Sequence, residues 1–115
     1  MNKPEIDTEM WDVQEHIYHE AGHAAPLLEY VVCAVHIKGF SEGRYLDIDV
    51  TDGKTPRRYK LSDIGKRLFY TAREASLYAK RLSDRSDAVW TRMGAPPVRR
   101  TWEKYLKEDS NEADL

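Results

Sequence analysis

The most constraining feature of this chain is the break that Gly22 and Pro26 impose directly behind His19-Glu20-Ala21-Gly22-His23. As letters, those five residues spell the zinc-hydrolase motif H-E-x-x-H. On a helix, His19 and His23 would share one face and bind Zn²⁺, with Glu20 as general base for a metal-bound water. Gly22 is a poor helix residue, and Pro26 biases Ala25 toward extended backbone. A helix beginning near Thr8 would have to end about one turn after His23. A helical count does find partners in Met10, Val13, Ile17 and Ala21. Against it, Trp11, Val13 and Ile17 alternate with Asp12, Gln14 and His16, the period of two of a half-buried strand. The break favours a strand over residues 11–18.

The pattern continues as strands. Leu28 to Ile37 is rich in β-branched and aromatic residues and reads as a long strand, with a turn expected at Gly39 to Gly43. Tyr45 to Val50 alternates again. Asp52-Gly53 is a turn signal that Lys54-Thr55-Pro56 extends. Arg57 to Leu61 is a further short strand. Ser62-Asp63-Ile64-Gly65 is a tight connection before Leu68-Phe69-Tyr70.

Thr71-Ala72-Arg73-Glu74 is a capping box. The helix it opens is expected to run to about Met93, with Ala75, Ala79, Leu82, Ser86, Val89 and Met93 as its inward stripe. Gly94 stops it, and Pro96-Pro97 lie behind. Val98 to Leu106 carries Trp102, Tyr105 and Leu106 and reads as a short helical turn folded back on the body. The expected organisation is a flexible acidic arm over residues 1–9, a single domain over 10–106 and a disordered acidic tail over 107–115. The fold class is α+β: a small bent antiparallel sheet or open barrel packed on one long helix, with a C-terminal arm.

Bulk properties limit the function classes. The 115 residues suit one domain with one modest core; 41% are apolar and 33% charged. No apolar run approaches membrane-spanning length, the N-terminus lacks the apolar core of a signal peptide, and the single cysteine excludes an internal disulfide. A cytoplasmic address and no membrane partner are the expectations. The formal charge of −2 gives no global pull toward nucleic acid. Two basic clusters, 54–73 and 99–104, stand between an acidic arm and an acidic tail, and such clusters suit phosphate or an acidic protein face.

Three sites follow from these residue types. A hydrolase would use Glu20 as base and His19 and His23 as ligands, with His16, Cys33, His36 or Glu29 supplying the third. A structural zinc would draw on a subset of His16, His19, His23, Cys33 and His36, because imidazole and thiolate suit that ion. Without such a site, no cofactor is expected. Nucleophilic catalysis by Cys33, mid-strand in an apolar run, is disfavoured. A partner-binding surface would use Phe40, Arg57, Arg58, Tyr59, Lys60, Lys66 and Arg67. Aromatic plus arginine is the composition of a protein hot spot and equally of a single-strand nucleic-acid platform.

Four phrases carry a resemblance. Pro26-Leu27-Leu28-Glu29-Tyr30-Val31-Val32-Cys33, Gly39-Phe40-Ser41-Glu42-Gly43-Arg44-Tyr45, Asp63 to Ala75 and Arg99-Arg100-Thr101-Trp102-Glu103-Lys104-Tyr105-Leu106 resemble small accessory proteins of prophages and other mobile elements of gut bacteria. The resemblance spans about residues 11–106. It implies strands before Phe69-x-Thr71-x-x-Glu74-Ala75 and a helix after it, and no particular chemistry. Some mobile-element proteins of this size inhibit host defence, including anti-CRISPR proteins that bind Cas nucleases. The resemblance therefore implies a non-enzymatic protein-binding module in the host cytoplasm, with a host protein such as a Cas nuclease as partner. The alternatives are the zinc hydrolase and a nucleic-acid binder using the 54–67 basic segment. A homo-oligomer is compatible with all three.

Overall fold

The computed structural model describes residues 3–107. Eight residues of the acidic tail, 108–115, lie outside the described residues, so the expectation of disorder there has no structural counterpart.

Among the described residues the chain forms five strands and one long helix: β1 (Glu9–Tyr18), β2 (Leu27–Glu42), β3 (Leu46–Thr51), β4 (Pro56–Lys60), β5 (Leu68–Phe69) and α1 (Ala72–Trp90). The sheet is antiparallel, in the order β4-β3-β2-β1-β5. This is the expected α+β architecture of a bent open sheet packed against one helix. β1 pairs with β2 from Glu9↔His36 to Tyr18↔Leu27, so the contested N-terminal segment is a strand throughout. No helix among the described residues is long and apolar enough to cross a membrane.

Two details differ from the sequence reading. First, β2 does not turn at Gly39. It runs on to Glu42, because a register shift between Ile37 and Gly39 leaves Lys38 as the bulged residue and keeps Gly39 in the ladder opposite Asp49. The reversal comes after it, at residues 43–45. Second, the N-terminal arm is pinned before β1 begins: the Asp7 amide donates to the Ile37 carbonyl at 2.7 Å, and the Ile37 amide donates to the Thr8 carbonyl at 3.0 Å.

The central parts of β1 and β2 carry packing on both faces, whereas Ile17, on the apolar parity of β1, is 65% exposed. On one face, Trp11, Val13, Tyr30 and Val32 pack with Phe69, Ala75, Ala79 and Trp102 under the helix. On the other, Met10, Val35, Ile37, Ile48, Val50 and Leu68 form a second cluster inside the curl of the sheet, with Phe40 and Tyr59 against it. Coverage on both sides requires β3 and β4 to fold over β1, which a strong twist and the bulge in β2 permit.

The helix opens as expected, with the Thr71 hydroxyl accepting from the Glu74 amide at 3.1 Å. It closes through a 3₁₀ turn, Thr91–Met93, into Gly94, whose φ of 86° needs glycine. The buried stripe is Ala75, Ser76, Ala79 and Ser83. Of the expected continuation, Leu82 and Ser86 are half-buried near Tyr30, whereas Val89 and Met93 are 53% and 73% exposed. Small residues in the first half let α1 lie close to the sheet and to Trp102, whose indole donates to the Ser83 hydroxyl at 3.1 Å. The C-terminal arm folds back as expected. Its Tyr105 ring meets Trp11 edge-on at 5.7 Å, and Arg100 bonds both Asp84 and Asp87 at 2.8 Å.

Candidate functional site

The hydrolase motif lies at the end of β1 and in the loop after it. His19 and Glu20 follow the strand, and residues 21 and 22 form a turn in which Gly22 adopts a φ of 82°. The His23 amide donates to the Glu20 carbonyl at 3.0 Å, and its ring Nδ1 lies 2.9 Å from the Ala25 carbonyl. The i, i+4 helical face that aligns two zinc ligands is not formed. Glu20 instead reaches Arg99 at 3.5 Å on the exposed surface.

The other metal candidates are dispersed. His16 Nδ1 lies 2.6 Å from Oε1 of Glu29, a residue only 5% exposed. Cys33 of β2 sits directly opposite Asp12 of β1, four positions along β2 from Glu29. Burial, then the nearby Asp12 charge, push the Cys33 thiol up from its ordinary value, opposite to what a thiolate nucleophile or ligand needs. His36 lies further along β2, between Glu9 of β1 and Thr51 of β3. Among the described residues, no three or more His, Cys, Asp or Glu side chains are grouped to hold a metal ion.

The basic cluster on β4 is divided by the sheet. Alternation sends Arg57 and Tyr59 inward and Arg58 and Lys60 outward. Arg57 donates through Nε to Oδ2 of Asp12 at 2.8 Å, and the Tyr59 hydroxyl donates to the same oxygen at 2.7 Å. Gln14 adds a third donor at 2.8 Å. Asp12 is fully buried, and the Arg57 side chain is only 16% exposed. Of the expected partner-binding residues, Arg57 and Tyr59 are thus engaged in an interior network with Asp12. The Tyr59 phenol is held well above its ordinary value, first by burial and then by the hydrogen bond it gives Asp12.

The outward residues are also partly engaged. Arg58 donates to Asp49 at 2.7 Å and to Ser41 at 3.2 Å. That hydrogen bond holds the Asp49 carboxyl below the usual range. Lys60 lies 4.8 Å over the ring of Tyr45. Lys66 and Arg67 are exposed in the turn before β5, with their amides donating to the Asp63 carbonyl. Phe40 is half-buried against the inner cluster, with Lys3 over its ring at 4.7 Å. The exposed aromatic on this side is Tyr45, 58% exposed, which also has Arg44 over its ring.

A different surface collects apolar groups. Between the C-terminal half of α1, the start of β2 and the segment after Gly94 lies a groove of about 560 Å³. Leu28, Leu82, Val89, Trp90, Pro96 and Val98 line it, with Arg85 and His23 also at its walls. Trp90 is 54% exposed there. The sequence reading treated Val89 and Met93 as core and missed this groove. The signal was present: the inward stripe runs on past Ser83, the last fully buried position of α1, to Val89 and Met93, and Pro26 and Pro96-Pro97 flank the two partner segments.

Comparison with known proteins finds no matching family model, no matching curated protein and no matching solved structure.

Proposed function

We propose that this chain is a non-enzymatic protein-binding module of a mobile element, acting by occupying a surface of a host protein. The observation that carries the reading is the groove at the end of α1, where Val89 and Trp90 stand half-exposed in a mostly apolar lining. A small domain seldom leaves a large aromatic and a β-branched residue side by side in a concave, solvent-facing position unless another chain covers them. The polar clusters support the same reading. Asp12, Arg57 and Tyr59 satisfy one another in the interior, and the H-E-x-x-H residues follow a strand into a turn. Zinc is not part of the proposal, since its candidate ligands stand at separate places in the fold.

The partner class to test first is a host defence nuclease of the Cas type. Co-expression with such a nuclease during phage challenge should raise phage plating, and Trp90→Ala should abolish the effect while Glu20→Gln preserves it. Loss of the effect in Glu20→Gln with Trp90→Ala unaffected would replace the binding module with the hydrolase. Tyr45, flanked by Arg44 and Lys60, favours a second reading as a single-strand nucleic-acid platform. It is the weaker reading, because Arg57 and Arg58, the best phosphate donors of that segment, already hold Asp12 and Asp49. Binding to an oligonucleotide that fades steeply with salt would favour it.

A further inference from the structure

We infer that the groove at the end of α1 takes a short amphipathic protein segment that presents apolar side chains together with a carboxylate. The inference rests on the binding-module reading and names the chemistry of its partner. Both walls carry apolar residues, with Leu82, Val89 and Trp90 from the helix and Leu28 and Pro96 from the partner segments. That form suits the docking of an amphipathic segment, whose apolar anchors recur along one side.

The charges around the groove set the sign of the partner. Asp84 and Asp87 lie on the same helix, but both are consumed internally. Lys80 and Arg100 hold Asp84 at 2.6 and 2.8 Å, and Arg100 and the Val98 amide hold Asp87 at 2.8 and 2.9 Å. Arg85, by contrast, is exposed at the groove wall and makes no ion pair among the described residues. The carboxylate that opposes its charge at the Tyr30 hydroxyl is Glu15, which lines a neighbouring hollow rather than this groove. An uncommitted guanidinium lining the same groove as an exposed indole offers a planar fork for a carboxylate together with a surface for an apolar anchor. A basic segment would meet Arg85 as a like charge, with the nearby acids already neutralised.

The test is selection of twelve-residue peptides from a random displayed library against the full chain, followed by anisotropy titration of the recovered peptides. The expected peptides combine Asp or Glu with Leu, Ile, Met or Phe. Their affinity should fall at least about tenfold on Trp90→Ala and on Arg85→Glu, and replacing their acids with Lys should restore binding to Arg85→Glu. Both positions are exposed, so the variants should keep the parent thermal midpoint; if Trp90→Ala does not, Val89→Ser serves in its place. Peptides without acidic enrichment, sensitive to Trp90→Ala but indifferent to Arg85→Glu, would overturn the carboxylate assignment and leave the docking reading standing. Recovery of no peptide sensitive to the groove variants would overturn both. Self-association that disappears in Trp90→Ala would assign the groove to a second copy and overturn the inference.

Discussion

Arg57 of β4 donates to Asp12 of β1 at 2.8 Å, although β3 and β2 stand between those strands in the sheet. A flat sheet would hold the two residues far apart. The contact therefore reports the curl, and Tyr59 and Gln14 complete the ring of donors around the carboxylate.

Removing one partner of this pair should be costly. Arg57→Ala leaves a fully buried carboxylate without its counter-charge and should destabilise the fold by about 3 kcal/mol or more. Arg57→Glu should prevent folding altogether. Arg58→Glu, on the outward face of the same strand, should fold normally with its unfolding midpoint close to the parent. Urea denaturation of the three variants checks the contrast. Equal effects at 57 and 58 would mean that the curl does not depend on the Asp12 network.

The network also shows where the sequence was legible and where it was not. The strand over residues 11–18 followed from alternation and from Gly22 and Pro26, which are local signals. The helix start and stop followed from Thr71, Glu74 and Gly94 for the same reason. What alternation could not say is that the polar parity of β1 faces an interior. Asp12 and Gln14 look water-facing in a period of two, yet β3 and β4 fold over that side. The segment around Gly39, just after the bulge at Lys38 that helps the sheet bend, reads as a turn when only neighbours along the chain are considered. The groove was missed for a related reason: the helical period marks Leu82, Val89 and Met93 as one stripe but does not say where the opposing sheet ends.

Trp102 anchors the C-terminal arm, and its loss should be felt across the second core cluster. The residue is 2% exposed and packs with Val32, Phe69, Ala75 and Ala79. Trp102→Ala should cost about 3–5 kcal/mol, and Trp102→Phe markedly less. Ser83→Ala should cost about 1–3 kcal/mol, because the indole N–H then lies buried without an acceptor. Thermal unfolding followed by circular dichroism would rank the three. A Trp102→Ala variant as stable as the parent would show that the arm is dispensable to the core.

The raised Tyr59 phenol gives a pH signature whose sign is fixed. Its folded-state value lies above the unfolded one, so the stabilisation is fully present below about pH 10 and is lost as pH rises above that value. Stability of the parent should therefore fall between about pH 10 and 12, and Tyr59→Phe should fall less steeply over the same window. Other tyrosines and lysines titrate there too, so the difference between the two slopes is the quantity to measure. Identical slopes would mean that the phenol ionises as it does in the unfolded chain.

Cys33 should be a slow thiol. Burial and the Asp12 charge both disfavour its thiolate. Alkylation by iodoacetamide at pH 8 should run at least about tenfold slower in the folded protein than in urea. A folded-state rate equal to the unfolded rate would show an open, activated cysteine and would return it to consideration as a nucleophile or metal ligand.

Glu20→Gln distinguishes the motif as letters from the motif as geometry. In the fold, Glu20 is exposed and meets Arg99 at 3.5 Å. Arg99 does not depend on that contact. Its guanidinium lies over the Tyr18 ring at 4.0 Å, and its amide donates to the Tyr18 hydroxyl at 3.3 Å. Neutralising Glu20 should therefore leave the thermal midpoint and partner binding close to the parent. A general base in a metal-assisted hydrolysis behaves differently: its loss lowers the rate by about 10² or more without weakening substrate capture. A fall of that size in a hydrolytic assay, at unchanged stability, would mean that residues 19–23 refold into the helical arrangement when substrate or metal is bound.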